Sequence, residues 1–177
     1  RFTVCVLPFA NMSGDQEQEY FSDGITEDII TDLSKVSALA VVSRNSAFMY
    51  KAQHVDVLKV ARELKVSHVL EGSVRKAGGR LRISAQLVST ETGEHIWADR
   101  FTVGKDVGAY TLDDAVWRIA FRAQQRMLET ESARSLRERP DNPDATDALV
   151  QAYALYFMPP SPQKRTRLVA LFEKAVE

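Results

Sequence analysis

Two short, continuous apolar runs near the start of the chain constrain its fold more than any other feature. The first is FTVCVLPF (2–9), which ends beside a proline, and the second is ALAVVS (38–43). Runs of this kind are typical of strands buried on both faces of a sheet. Between them, apolar residues from Ile25 to Val36 recur at helical spacing. Strand, helix and strand in this order predict two parallel strands joined by a right-handed crossover.

The next segment predicts an antiparallel continuation of the sheet. In VSHVLEGSVRKAGGRLRISAQLV (66–88), two β-type runs flank a Gly-Gly pair, which is typical of a tight hairpin. A third run, HIWADRFTV (95–103), follows TETG. Apolar and polar residues alternate in the middle run, so one face is predicted to be covered and the other to meet water. Helical spacing recurs over 56–64 and 110–131. We therefore expect a mixed five-stranded sheet flanked by three helices, an α/β fold of the mixed α+β type.

A proline-interrupted stretch divides the C-terminal part of the chain. RERPDNPDA (137–145) ends the helical spacing of the preceding segment, and we place a domain boundary there, between 1–136 and 137–177. Two more amphipathic segments, 145–157 and 165–177, predict an all-α helical hairpin. The chain begins in a strand-like run and stops within a helical pattern, so we expect a piece of a longer protein.

Composition narrows the classes of function. The 177 residues carry a formal net charge of −1, which gives no long-range attraction for nucleic acid or for an anionic membrane. No apolar run approaches the roughly 20 residues that span a bilayer. The single cysteine, Cys5, excludes a disulfide framework and lies in an apolar run, where we expect an inert thiol. The three histidines share no metal-ligand spacing. We expect no metal and no cofactor.

Acidic residues crowd the beginning of the first predicted helix. Asp23 and Glu27 are four apart and would share a helix face, with Asp28 beside them. We expect these carboxylates to stabilise the positive end of the helix dipole. Polar contact with a partner is the second interpretation, and a metal or catalytic role the third. The regular ligand spacing of an EF-hand is absent.

Two further groups are candidate binding residues. Arg44 and Asn45 follow directly on a predicted buried strand, and ligands of open α/β sheets usually bind at the carboxyl ends of strands. Glu71 and Arg75 are four apart on one predicted strand, so their side chains point to the same face. A buried pair would be structural and an exposed pair would be a binding feature; we favour the structural interpretation.

The hairpin and the last strand hold the remaining candidates. RKAGGRLR (75–82) lacks the Gly-Lys-Ser/Thr ending of a phosphate loop, so we expect a solvated turn, with a docking patch as the alternative. Trp97 alternates along its strand with His95, Asp99 and Phe101, which predicts one shared face. Packing is the expected role of Trp97, and a binding hot spot is the alternative.

Three stretches carry a resemblance to a known family. VLPFANMSGDQEQEYFSDGITEDIITDLSKV (6–36), VVSRNSAFMYK (41–51) and the segment 56–101 resemble the TolB-amino-terminal-like module. The resemblance covers about Phe2 to Leu128. It implies an α/β module without known catalytic residues, found in bacterial signalling proteins, commonly after a class III adenylate/guanylate cyclase domain and before tetratricopeptide repeats. The tail is similar to such a repeat through Leu168, Phe172 and Ala175, although MPPSPQ makes a longer turn than usual.

These features lead to one expected function and two alternatives. We expect a non-catalytic regulatory segment whose partners are other domains of the same polypeptide and other proteins, with Asp23, Glu27, Asp28 and Arg44 as contact residues; a homodimer is left open. One alternative is a sensor of an anionic small molecule beside Arg44, and the other is a regulatory segment of a winged-helix transcriptional regulator. A cyclase must reach ATP, so we expect a cytoplasmic protein, with the periplasm as the alternative.

Overall fold

The computed structural model describes residues 2–139 and 143–176, and contacts divide the chain into two compact units. The first unit is Phe2–Ala123 and the second extends from Gln124 onward. The division falls inside one long helix, whereas the proline-interrupted stretch predicts a boundary at 136/137. Part of the predicted linker, Pro140 to Asn142, lies outside the described residues.

The first unit is built on one mixed sheet. Its strands are β1 (Phe2–Val6), β2 (Ala10–Asn11), β3 (Leu39–Val41), β4 (His68–Ala77), β5 (Arg80–Ser89) and β6 (His95–Val103). The order is β3-β1-β4-β5-β6, and the two-residue β2 pairs with β4. β1 is parallel to both β3 and β4, while β5 is antiparallel to β4 and to β6. The predicted parallel pair and the antiparallel continuation are confirmed; β2 is an additional short strand.

The hairpin between β4 and β5 forms where the Gly-Gly pair predicted it. Gly78 and Gly79 both have positive φ, +57° and +77°, as a tight primed turn requires. In β5, Ile83, Ala85 and Leu87 are buried, and the residues between them are more exposed. The alternation of the sequence therefore sets which face of this hairpin enters the core.

One face prediction on β6 is wrong. Leu87 pairs with Trp97, but the next pair is Val88 with His95, so the register shifts by one residue. This irregularity places His95 on the face opposite to Trp97, because an extra residue reverses the alternation beyond it. Asp99 and Phe101 do share the face of Trp97, since their partners are Ala85 and Ile83.

The first helix begins earlier than its apolar spacing predicts. α1 spans Gln16–Ser34, and the Asp15 carboxylate caps it by accepting a hydrogen bond from the Glu17 amide at 3.0 Å. Asp23, Glu27 and Asp28 therefore lie well inside the helix, beyond the first turn in which the dipole acts. Their expected role at the helix end is wrong. The sequence signal was present, because Asp15 followed by Gln18 fits a capping-box spacing.

Helices cover the buried part of the sheet. The sequence of 44–54 predicts a connection, but the short helix α2 (Arg44–Phe48) forms within it. α2 and α3 (Val57–Leu64) contribute Ala47, Val60 and Ala61 to a cluster with Cys5 and Val69. Cys5 and Val69 lie on one face of the sheet, and Val4 and Leu70, on the opposite face, are also fully buried. The buried apolar residues of α1 are Ile25, Ile29 and Leu33, and its polar residues Gln18, Ser22 and Thr26 are buried as well.

The C-terminal helices are α4 (Leu112–Glu138), α5 (Ala145–Tyr156) and α6 (Pro162–Val176). The apolar spacing predicts one buried stripe on α4, made of Leu112, Val116, Ile119, Ala120, Ala123 and Met127. All of these residues are buried except Leu112, which is partly buried. In the second unit, Ala148, Ala152 and Leu171 form a small core against which three residues pack: Leu155, Leu168 and Ala175. Phe172 stays 41% exposed and meets the ring of Tyr153 edge-on. The mixed α+β class followed by C-terminal helices is confirmed.

Candidate functional site

A cavity of about 640 Å³ lies at the carboxyl end of β1. β1 is flanked by β3 on one side and β4 on the other, and the chain passes from β3 to β4 across it. Ligands of open α/β sheets bind at such a switch point. The walls come from the segment after β1, the loop 50–56, Glu19 and the two β4 residues Glu71 and Gly72.

Lys51 ties the first helix to the loop that walls this cavity. Its ammonium donates to both carboxylate oxygens of Asp23, at 2.8 and 2.6 Å, and lies 3.3 Å from Glu19. The hydrogen bond to Asp23 raises the pKa of Lys51 above its ordinary value. The positive charge of Lys51 is thus already matched within the molecule. The sequence gives no signal for Lys51, because it falls in a segment without regular apolar spacing.

Arg44, the first residue of α2, makes a second contact with α1. Its Nε donates to the Glu27 carboxylate at 3.0 Å, and its guanidinium lies 4.1 Å from the centre of the Phe48 ring. Arg44 is not among the residues that line the cavity. Its neighbour Asn45 is exposed in the first turn of α2. The i, i+4, i+8 row of Glu19, Asp23 and Glu27 therefore faces the two cations of the following segment.

Asp28 differs from its acidic neighbours. It is exposed, and no basic partner is recorded for it within the described part of the chain. The partial desolvation of its carboxyl nevertheless raises the pKa of Asp28, and the negative charges of Asp113, Asp32 and Glu27 raise this pKa further. Like-charge crowding of this kind disfavours the ionised form of the carboxyl.

Glu71 and Arg75 are on one face of β4, as predicted, but they do not form a pair with each other in the described residues. The Glu71 carboxylate accepts from the Gln86 amide at 2.6 Å, and Arg75 is exposed opposite Arg82. Trp97 is half-buried opposite Leu87 on the other face. Whether any of these residues binds a partner stays a prediction.

Backbone features shape the cavity wall. Gly72 lies under Phe9, so that a Cβ at this position would come within 2.4 Å of the ring. Ala52, also in the wall, has a φ of 59°, a conformation that costs an L-residue about 1–2 kcal/mol. Strain of this kind is often found at functional sites. The loop 50–56 is also tied by the Tyr50 hydroxyl, which donates to Glu63 at 2.7 Å.

Other candidate chemistry is limited in the described residues. They contain no group of three or more His, Cys, Asp or Glu side chains placed to hold a metal ion. Cys5 is fully buried, and burial raises the pKa of its thiol to about 12. None of the helices in the described ranges has the length and apolar character of a membrane span.

The strand order and the helices define a mixed α+β module followed by C-terminal helices. The chain belongs to the family described as HilA/YgeH-like transcriptional regulator, second domain, which residues 1–119 match. A curated relative, "Putative adenylate cyclase 3" of Rhizobium meliloti (strain 1021), is 51% identical over 152 residues. The match covers 85% of this chain and 26% of that relative, so the chain spans about a quarter of its length.

Two solved structures share the fold. TolB from Acinetobacter baumannii is 14% identical with a TM-score of 0.50, over 71% of this chain and 28% of that one. Lipoprotein GNA1162 from Neisseria meningitidis is 16% identical with a TM-score of 0.50, over 71% of this chain and 96% of that one. At these identities the likeness shows the fold alone. The TolB-like fold is confirmed, and the start of tetratricopeptide repeats stays a prediction.

Proposed function

We propose that this chain is a non-catalytic regulatory segment of a larger bacterial signalling protein, and that it acts through contact with other protein domains. One observation carries the proposal: the same segment matches a domain of transcriptional regulators and forms about a quarter of a protein named a putative adenylate cyclase. A segment that accompanies two kinds of output supports a role common to both, which is control of the output and not its chemistry.

The output that we favour is an adenylate cyclase, since the relative with that name is 51% identical. Transcriptional control is the alternative output. In either case the segment would shift an equilibrium of the output domain by binding one of its states better than the other. Under this proposal the protein is cytoplasmic, because ATP must reach the output domain.

Cyclic AMP formation by the parent protein tests the proposal. The substitution Asp28→Asn changes an exposed carboxylate that pairs with no basic side chain in 2–139 or 143–176, so the fold should stay intact. We expect cyclase activity to change severalfold, with Glu94→Gln, an exposed carboxylate in the β5–β6 turn, as the matched control. Removing the segment should change the activity further. Equal activities for the intact and the truncated protein would contradict a regulatory role.

A second function, small-molecule sensing, is favoured by the cavity at the end of β1. Among the described residues that line it are three carboxylates, Glu19, Asp56 and Glu71, and one ammonium, Lys51, which is already paired with Asp23 and Glu19. This balance favours a ligand with hydrogen-bond donors or positive charge over the anion first expected. Thermal melts against nucleotides, amino acids and polyamines test it: a saturable rise in Tm that Glu71→Gln abolishes supports the sensor, and a flat response contradicts it.

A further inference from the structure

Three arginines lie together on the part of the sheet that faces away from the core. Arg75 on β4, Arg82 on β5 and Arg100 on β6 line one open concavity of about 430 Å³. Its other lining residues are Met12, Ser73 and Ser84. All three arginines are exposed, and we call this surface the arginine face.

The strand register brings the three charges close to each other. Arg75 is the direct partner of Arg82 across the β4–β5 ladder. Arg100 pairs with Ser84, which places it diagonally from Arg82 on the same face. Directly opposite residues have Cβ atoms about 5 Å apart and diagonal ones about 7–8 Å apart. Like charges in such positions destabilise a sheet.

The arginine face is not neutralised within the described part of the chain. None of its three guanidinium groups has a recorded ion pair there, whereas Arg44, Lys51 and Arg80 each have a carboxylate within 3.0 Å. Two carboxylates are near but engaged otherwise. Glu71, on the same face, accepts from Gln86, and Asp99, on the opposite face, accepts from the Arg100 backbone amide.

We propose that the arginine face docks an acidic polypeptide segment. Three cations that have no ion pair among the described residues complement carboxylates, and guanidinium groups bind carboxylates in bidentate fashion. Neighbouring strands are about 4.8 Å apart, so the cations extend about 10 Å across three strands. That width suits several successive side chains of a polypeptide better than one phosphate group. The Ser73 and Ser84 hydroxyls line the same concavity, and Met12, 64% exposed, adds an apolar contact there.

This inference rests on the proposed protein-contacting role for the choice of a polypeptide, but it is tested separately from control of an output domain. The probe is a phage-displayed library of random twelve-residue peptides, selected on the 177-residue chain. Selected peptides are then synthesised, and their Kd values are measured for the wild type and two variants. The test variant is Arg75→Gln, Arg82→Gln, Arg100→Gln. The control variant, Arg62→Gln, Lys65→Gln, Lys105→Gln, removes the same charge from exposed positions elsewhere.

The expected result has three parts. Selected peptides are enriched in Asp and Glu, they bind the test variant at least tenfold more weakly than the control variant, and their affinity falls with added salt. The Tm of the test variant equals or exceeds that of the wild type, because the like-charge contacts are gone. Loss of binding together with a lowered Tm would assign the arginines to the fold and overturn the proposal.

Three other results would show that the arginine face does not bind an acidic polypeptide. Selected peptides without acidic enrichment, or with equal affinity for both variants, would overturn the proposal. Stabilisation by millimolar inorganic phosphate that the test variant loses, without selection of acidic peptides, would assign the face to a phosphate ligand. Self-association of the wild type in sedimentation equilibrium that the test variant loses, again without selection of acidic peptides, would assign it to a second copy of the chain.

Discussion

Gly72 provides a sharp test of how the cavity wall is packed. A Cβ added at this position would lie 2.4 Å from Phe9 Cε2 and 2.4 Å from the Ser84 carbonyl oxygen. Real Cβ atoms essentially never come within 3.0 Å of such neighbours. Phe9 is only 2% exposed and the Ser84 carbonyl belongs to the β5 backbone, so neither neighbour can move away freely.

Gly72→Ala should therefore lower the free energy of unfolding strongly. Overpacking a core typically costs about 1–3 kcal/mol and occasionally more. With an immobile ring on one side and a strand backbone on the other, we expect about 3 kcal/mol. Such a loss is a large part of the roughly 5–15 kcal/mol that stabilises a domain. In a Phe9→Ala background the same change should cost less, because one of the two clashes is gone.

Urea denaturation monitored by circular dichroism measures this loss of unfolding free energy, and Gly24→Ala is the matched control. Gly24 lies inside α1, and an added Cβ would meet no atom within 4 Å. Alanine should raise the stability there by about 0.5–1 kcal/mol. If Gly72→Ala unfolds within about 0.5 kcal/mol of the wild type, the close approach of Phe9 and β5 to this glycine is refuted.

Three further predictions concern other contacts. Cys5 should react with a thiol reagent only as the chain unfolds, and fast labelling of the native chain would contradict its burial. The pKa of the thiol is about 12 in the folded chain and about 8.5 in the unfolded chain, so the free energy of unfolding should fall by about 1.4 kcal/mol per pH unit between these values. Cys5→Ala should remove that part of the slope. Lys51→Met should lower the free energy of unfolding by about 0.5–1 kcal/mol at neutral pH, and the wild type should lose the same contribution as the pH rises through the raised pKa of Lys51. A double-mutant cycle with Asp23→Asn measures the coupling energy, and a value of zero would contradict the ion pair. Asp15→Ala should cost about 1 kcal/mol in urea melts and Asp15→Ser much less, and equal stability of the two variants would argue against the α1 cap.

Part of the candidate site could be predicted from the sequence. The rule that ligands bind at strand ends located the cavity region, and the four-residue spacing of Asp23 and Glu27 placed them on one face of α1. Their partners could not be predicted, since Lys51 is 28 residues from Asp23 along the chain. Arg44 was named for an anionic ligand, yet in the fold it meets Glu27.

Local pattern by itself determined five of the six strands, all but the short β2, as well as the Gly-Gly hairpin, most of the buried stripe of α4 and the mixed α+β class. These features depend on the spacing of apolar residues and on backbone preferences, which a short stretch of chain already specifies. The start of α1 was missed because QEQEY, at 16–20, has no apolar stripe. Only the tertiary structure decided three features: the register shift in β6, the contact of Lys51 with Asp23, and the shared surface of Arg75, Arg82 and Arg100. Each of these depends on strand register or on contact between distant segments, and both are set by the packing of the whole core.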